Sequence, residues 1–389
     1  MKLALLSVFA AFAASAAPFE IVALVDSLDF AGEFDVETRD GNLKVLDYVL
    51  SNGVTSVWWR DKGGGRVRYP SVEESCLPSQ TPFVRTRLPY AAKPYGLLRL
   101  DTAAAEAYPA VFSECARRHV PYGIHTTFEE NHWLSSHCST WNLAHPQFWC
   151  KGRGGTPWSG HCSLSHPEVL RHKLALVDER LAYKPQTIFL DLYRRGGWGP
   201  GCEFVAPMID MWRKRHGDAA LPLPDDPRWL ELVSETVEGY LRAFSEKCHR
   251  RGCSFGIGCY SFNIADDSQI LRSHAVHWER LAFEKVVDFV VVMGVQMDRQ
   301  DPWGSTVRIY RDIVSRCGGA KVYFPISAYT YQACCLSSYS RLSGMSMAAA
   351  AGRLAALAKA VGGAGVVLEC LDYGNYSPEV MEAIRQAVD

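Results

Sequence analysis

Eight short runs rich in Val, Ile, Leu and aromatic residues recur along the chain, each separated from the next by a segment whose apolar residues return with helical spacing. This alternation constrains the fold more than any other feature, because strands joined by helical crossovers lie parallel in one sheet. The runs are 20–26 (EIVALVD), 54–60 (VTSVWWR), 121–126 (PYGIHT), 187–193 (TIFLDLY), 254–260 (SFGIGCY), 288–294 (DFVVVMG), 321–327 (KVYFPIS) and 365–370 (GVVLEC). They are almost continuously apolar, as parallel strands buried on both faces must be. Helical spacing is clearest at 102–118, 166–183, 203–216, 226–251 and 345–361. In 226–251, Trp229, Leu232, Val233, Val237, Tyr240, Leu241 and Phe244 form one stripe; Asp225 or Asp226 is placed to cap it, Pro227 suits its first turn, and Gly252 stops it. Eight such units predict a closed (β/α)8 TIM barrel, with an open doubly wound sheet as the alternative.

No repeat, low-complexity tract or linker divides residues 17–389, so one domain is the economical reading. The charged start, the apolar run Ala4 to Ala14 and the small-residue site Ala14-Ser15-Ala16 have the layout of a secretory leader over residues 1–16. The leader predicts a secreted or periplasmic protein, and no later run has the length of a membrane helix. The 41 basic and 42 acidic residues leave a formal charge of −1, which disfavours nucleic acid and anionic membranes as partners. A neutral partner fits better, and tryptophans in loops suit the faces of a carbohydrate. The oligomeric state is not legible.

Thirteen cysteines in an exported chain predict disulfides, with at least one thiol left over in a monomer. Local staples are expected among Cys138, Cys150 and Cys162 and between Cys248 and Cys253, while Cys259 and Cys370 sit in strands as buried thiols. The stretch from His132 to His166 is dense in His and Cys, but it lacks the paired spacing of structural zinc. The first strand carries no His-x-His pair and no glycine-rich phosphate loop follows it, so neither a metal nor another cofactor is expected.

In such a barrel the chemistry sits at the C-terminal ends of the strands. Asp191 interrupts the apolar strand Ile188 to Tyr193, where an ionised carboxylate is costly unless paired or poised. A brace to Arg194 or Arg195 is the plainer role; catalysis is the sharper one. Glu369 repeats the pattern on the last strand, across the barrel from the fourth, and could equally neutralise Arg60 or Arg194. Asp298, on the loop after strand six, is a third candidate. Glycoside hydrolysis needs two carboxyl groups, one to protonate the leaving oxygen and one to act as nucleophile or base. Trp58, Arg60, His125, Glu129, Trp133, Tyr193, Arg194 and Tyr329 are the expected sugar-contacting residues around them. A non-catalytic carbohydrate-binding barrel, with Asp191 and Arg194 only orienting hydroxyls, is the rival reading.

The segment from His145 to Gly196, with Ser163-Leu164-Ser165-His166-Pro167-Glu168-Val169 before a helix and then Asp191-Leu192-Tyr193-Arg194 on a strand, resembles the family-10-like group of hypothetical glycoside hydrolases. DPRWLELVSETVEGYLRAFSEKCHRRG, residues 226–252, is similar to that group's long helix before strand five. The resemblance spans residues 120–260. It implies a barrel, a carbohydrate-directed role and an acidic site at Asp191, and it assigns no partner carboxylate.

Overall fold

The computed structural model describes residues 18–30, 33–36, 38–63, 66–74, 102–128, 139–192, 198–217, 220–259, 268–295, 297–328, 335–369 and 376–389. Eight parallel strands form a closed barrel: β1 (Glu20–Val25), β2 (Ser56–Arg60), β3 (Tyr122–Thr127), β4 (Thr187–Asp191), β5 (Ser254–Cys259), β6 (Phe289–Val292), β7 (Lys321–Ser327) and β8 (Gly365–Glu369). Each strand pairs with its neighbours in the chain, and β1 closes the ring on β8. The closed ring settles the choice against an open doubly wound sheet. All eight predicted strands are present. The fourth stops at Asp191 rather than at 193, and the sixth at Val292.

A helix follows every strand: α1 (Arg39–Ser51), α2 (Thr102–Arg117), α3 (Pro167–Leu181), α4 (Pro227–Arg250), α5 (Trp278–Phe283), α6 (Pro302–Arg316), α7 (Met347–Ala360) and α8 (Pro378–Val388). The helix expected from 203 begins at Ala206, because Pro200–Cys202 forms a separate 3-10 turn and Val205 is extended. In α4 all seven residues of the predicted stripe are buried, each contributing about 1.5–3 kcal/mol relative to exposure. Its cap is Asp226, whose carboxylate accepts the Arg228 N–H at 2.9 Å. Among the described residues no helix is long and apolar enough to cross a membrane.

The barrel interior is a packed plug. Val22, Leu24, Trp58, Phe189, Phe289, Val291, Met293, Tyr323 and Val367 form one buried cluster. Trp58 meets the rings of Phe189, Phe289 and Tyr323 at 5.1–5.4 Å between centroids. Two glycines of β5 make room for these rings: a Cβ on Gly258 would lie 2.6 Å from Phe189, and one on Gly256 would collide with Phe289. The longest connections, after β2 and β3, leave the C-terminal end of the barrel, as expected. The first begins with a two-stranded hairpin, Lys62–Gly63 with Arg66–Val67, and the second contains the hairpin Trp149–Lys151 with Pro157–Cys162.

The cysteines depart from the expected staples. Cys248 and Cys253 are both buried thiols, and the neighbouring Cys253 together with burial pushes Cys248 far above its ordinary pKa. Cys150 donates its S–H to Glu203. None of these buried cysteines is cross-linked. Cys259 is a buried strand thiol, as predicted, pushed upward by burial and by the Asp191 charge. Cys138 and Cys370 lie outside the described residues.

Candidate active site

Strand alternation decides which strand-end side chains face into the barrel. Leu24, Trp58, Phe189 and Val367 are interior residues, so the residues two further along, Asp26, Arg60, Asp191 and Glu369, share their face at the C-terminal mouth. His125 belongs with them, because its ring stacks on Phe189 at 5.1 Å with 29° between planes. Asp191 and Glu369 therefore end strands on opposite sides of the eight-strand ring.

Asp191 has no solvent exposure, and His125 Nε2 stands 3.5 Å from its Oδ2. The two residues come from adjacent strands, with Thr127 in register with Asp191. The Asp191 carbonyl accepts the Phe128 N–H at 3.0 Å, and Leu192 N–H is held by the Gly258 carbonyl at 3.1 Å, so the backbone around the carboxylate is fastened on both sides. Glu369 is 3% exposed. Its segment is fixed by Tyr376, whose hydroxyl donates to the carbonyls of Glu369, at 2.7 Å, and Ile326.

Arg60 bonds Asp26 rather than Glu369. Arg68 joins the same carboxylate at 2.6 Å, brought back to the mouth by the hairpin after β2, where its N–H reaches the Asp61 carbonyl at 2.8 Å. Two guanidinium groups thus flank one carboxylate at the end of β1. Neither Asp26 nor Arg68 is among the expected site residues; the sequence signal for Asp26 is its two-residue offset from Leu24. Asp61, one residue past Arg60, falls on the opposite face and pairs with Arg180 of α3, both buried. Burial opposes the Arg180 charge, but the facing Asp61 carboxylate outweighs it and holds the guanidinium above its ordinary pKa.

Not every expected site residue joins this group. Trp58 is 2% exposed, and its ring surface is taken up by the interior plug, so its place is that of a core residue rather than an open sugar platform. Asp298 lies beyond the end of β6, exposed, with its Oδ1 accepting the Gln300 N–H at 2.9 Å and its own N–H donating to Ser305. That arrangement makes it part of the turn leading into α6. Glu129, Trp133, Tyr193, Arg194 and Tyr329 lie outside the described residues, as does the expected brace from Arg194 or Arg195.

No family model matches the chain, and no curated protein matches it. Solved structures do resemble it. The glycoside hydrolase domain of PgaB (BpsB) from Bordetella bronchiseptica superposes with a TM-score of 0.61 at 11% identity, covering 96% of this chain and 99% of that one. A trehalulose synthase gives a TM-score of 0.51 at 10% identity over 92% of this chain and 65% of its own. An α-galactosidase from Lactobacillus brevis gives 0.50 at 10% identity, over 96% of this chain and 40% of its own. At such identities the likeness establishes the architecture: the chain has the barrel fold found in these carbohydrate-active enzymes.

Proposed function

We propose that this protein is an exported glycoside hydrolase acting on an oligo- or polysaccharide, with Asp191 as nucleophile or base and Glu369 as the proton donor. The observation that carries the reading is the placement of two buried carboxylates on one interior face at the mouth, at the ends of opposed strands. A sugar lying across that mouth would meet both, which is the requirement of glycoside cleavage. His125 positions the Asp191 carboxylate, and the Asp26 cluster with Arg60 and Arg68 presents fixed donors for sugar hydroxyls. Residues 17–389 act as one domain after removal of the 1–16 leader. The full-length match to a glycoside hydrolase domain supports the same reading.

The test is product release from a panel of plant, algal and host glycans. Wild type is expected to liberate oligosaccharides, and Asp191→Asn and Glu369→Gln to lose about 10²–10⁴-fold in kcat while still binding. Tight glycan binding by wild type with no product from any glycan would show a carbohydrate-binding barrel instead.

A further inference from the structure

Beside the mouth, two loops bring together a group of soft donors that the proposed hydrolysis does not use. Cys150, on the hairpin after β3, lies against Cys202 and Glu203, in the segment after β4, and all three are buried. Their donor atoms lie within 4.8 Å of one another, with Cys150 Sγ 3.3 Å from Glu203 Oε1. A tetrahedral zinc with ordinary bond lengths sets its sulfur and oxygen ligands about 3.6 Å apart and two sulfurs about 3.8 Å apart. We propose that Cys150, Cys202 and Glu203 bind one zinc ion that clamps the two loops flanking Asp191, with water completing the tetrahedron.

The surroundings suit ligands. Trp198 Nε1 donates to Glu203 Oε1 at 2.6 Å and Ser163 Oγ donates to Oε2, so both carboxylate oxygens are oriented by neutral donors. The Gly199 N–H points at Cys202 Sγ at 3.4 Å, an interaction that favours the thiolate. The two loops are already held in register by the bridge of Lys151 to Glu203 and by Phe204 N–H on the Lys151 carbonyl at 2.9 Å. Two sulfurs exclude calcium and magnesium, which take oxygen ligands. Binding releases two protons and transfers no electrons: the Cys150 thiol proton, which the Glu203 carboxylate accepts in a hydrogen bond, and the Cys202 thiol proton, which the Gly199 carbonyl accepts, pass to solvent as two zinc–sulfur bonds form. The spacing of cysteines along the chain conceals this site, because its donors come from two loops.

The full chain, purified under reducing conditions, stripped with chelator and supplied with Zn(II), is expected to retain about one zinc after gel filtration. Co(II) in its place should give the near-ultraviolet charge-transfer band of thiolate ligation. Cys150→Ser, Cys202→Ser and Glu203→Gln should each weaken binding by more than about 100-fold, and Ser163→Ala, which removes the bond orienting Glu203 Oε2, by about 10–100-fold. Cys317→Ser, at a buried cysteine elsewhere, should bind as wild type does. Because the Co(II) spectrum is read on wild type, a variant that fails to fold does not remove the test. The proposal is overturned if wild type retains no metal and shows no thiolate band, if Cys202→Ser binds as wild type does, or if peptide mapping finds Cys150 and Cys202 joined as a disulfide in the isolated protein.

Discussion

Gly258→Ala should damage catalysis out of proportion to its size. The new Cβ would lie 2.6 and 2.7 Å from two ring carbons of Phe189 and 3.1 Å from Met293 Cγ. The ring would have to retreat by roughly 0.8 Å to reach even the near edge of ordinary contact, and it sits in a filled interior with the Trp58 ring 5.4 Å away between centroids. Overpacking of this kind costs about 1–3 kcal/mol of stability. The functional consequence follows from what rests on the ring: His125 stacks on Phe189 and stands 3.5 Å from Asp191. A displacement of about 1 Å in a positioned group costs about 10²-fold in rate. Gly256→Ala is the control, since its Cβ would strike Phe289, whose ring neighbours are Trp58 and Tyr323 and not His125. Urea midpoints should fall for both variants, but kcat on a cleaved glycan should fall about 10²-fold only for Gly258→Ala. If Gly256→Ala loses turnover as severely, or Gly258→Ala is destabilised with turnover intact, the transmission through Phe189 and His125 is wrong.

Two further outcomes follow from buried polar groups between the barrel and its helices. Asp61→Asn should cost about 3–5 kcal/mol by leaving the Arg180 charge buried alone, whereas Asp61→Leu combined with Arg180→Met should recover most of that loss; a guanidinium titration of the cycle in which the double variant is as unstable as Asp61→Asn would contradict the assignment. Tyr69 is buried with no hydrogen-bond partner for its hydroxyl among the described residues, and burial raises its pKa well above 10.0. The unfolded tyrosine loses its proton from about pH 10 upward while the folded one keeps it, so the stability present below pH 10 declines as pH rises towards the folded value. Tyr69→Phe should be neutral or stabilising by about 1 kcal/mol at pH 8 and should lose less stability than wild type between pH 9 and 11; urea midpoints with equal pH slopes in the two proteins would count against it.

The strands were legible because burial on both faces leaves no polar alternation to obscure them, and because a barrel admits few arrangements of eight such runs. Among the helices, α4 announced itself through an apolar stripe with a cap at each end. α1 is not among the segments with clear helical spacing, and Gly41 and Asn42 are buried in its first turn. α6 and α8 are not among the segments with clear helical spacing; each starts at a Pro after a capping side chain, Asp301 bonded to Gly304 and Ser377 bonded to Val380. What no local pattern reveals is pairing: Asp61 and Arg180 are 119 positions apart, and Cys150 meets Glu203 across 53.

Strand parity nonetheless sorts the candidate site once one interior residue per strand is known. Asp26, Arg60, His125, Asp191 and Glu369 pass; Asp61 and Cys259 fail by one position and face the helices; Asp298 lies beyond any barrel strand. Burial then divides the acids that pass by what compensates them. Asp26 is held between two arginines, so its charge is already committed to structure. Asp191 stands 3.5 Å from the imidazole of His125. A carboxylate held between two guanidinium groups suits the orienting of sugar hydroxyls, and the proposed displacement needs a carboxylate beside a proton-carrying group. In the proposed function the imidazole beside Asp191 and the two arginines beside Asp26 divide the work, chemistry at the first and binding at the second.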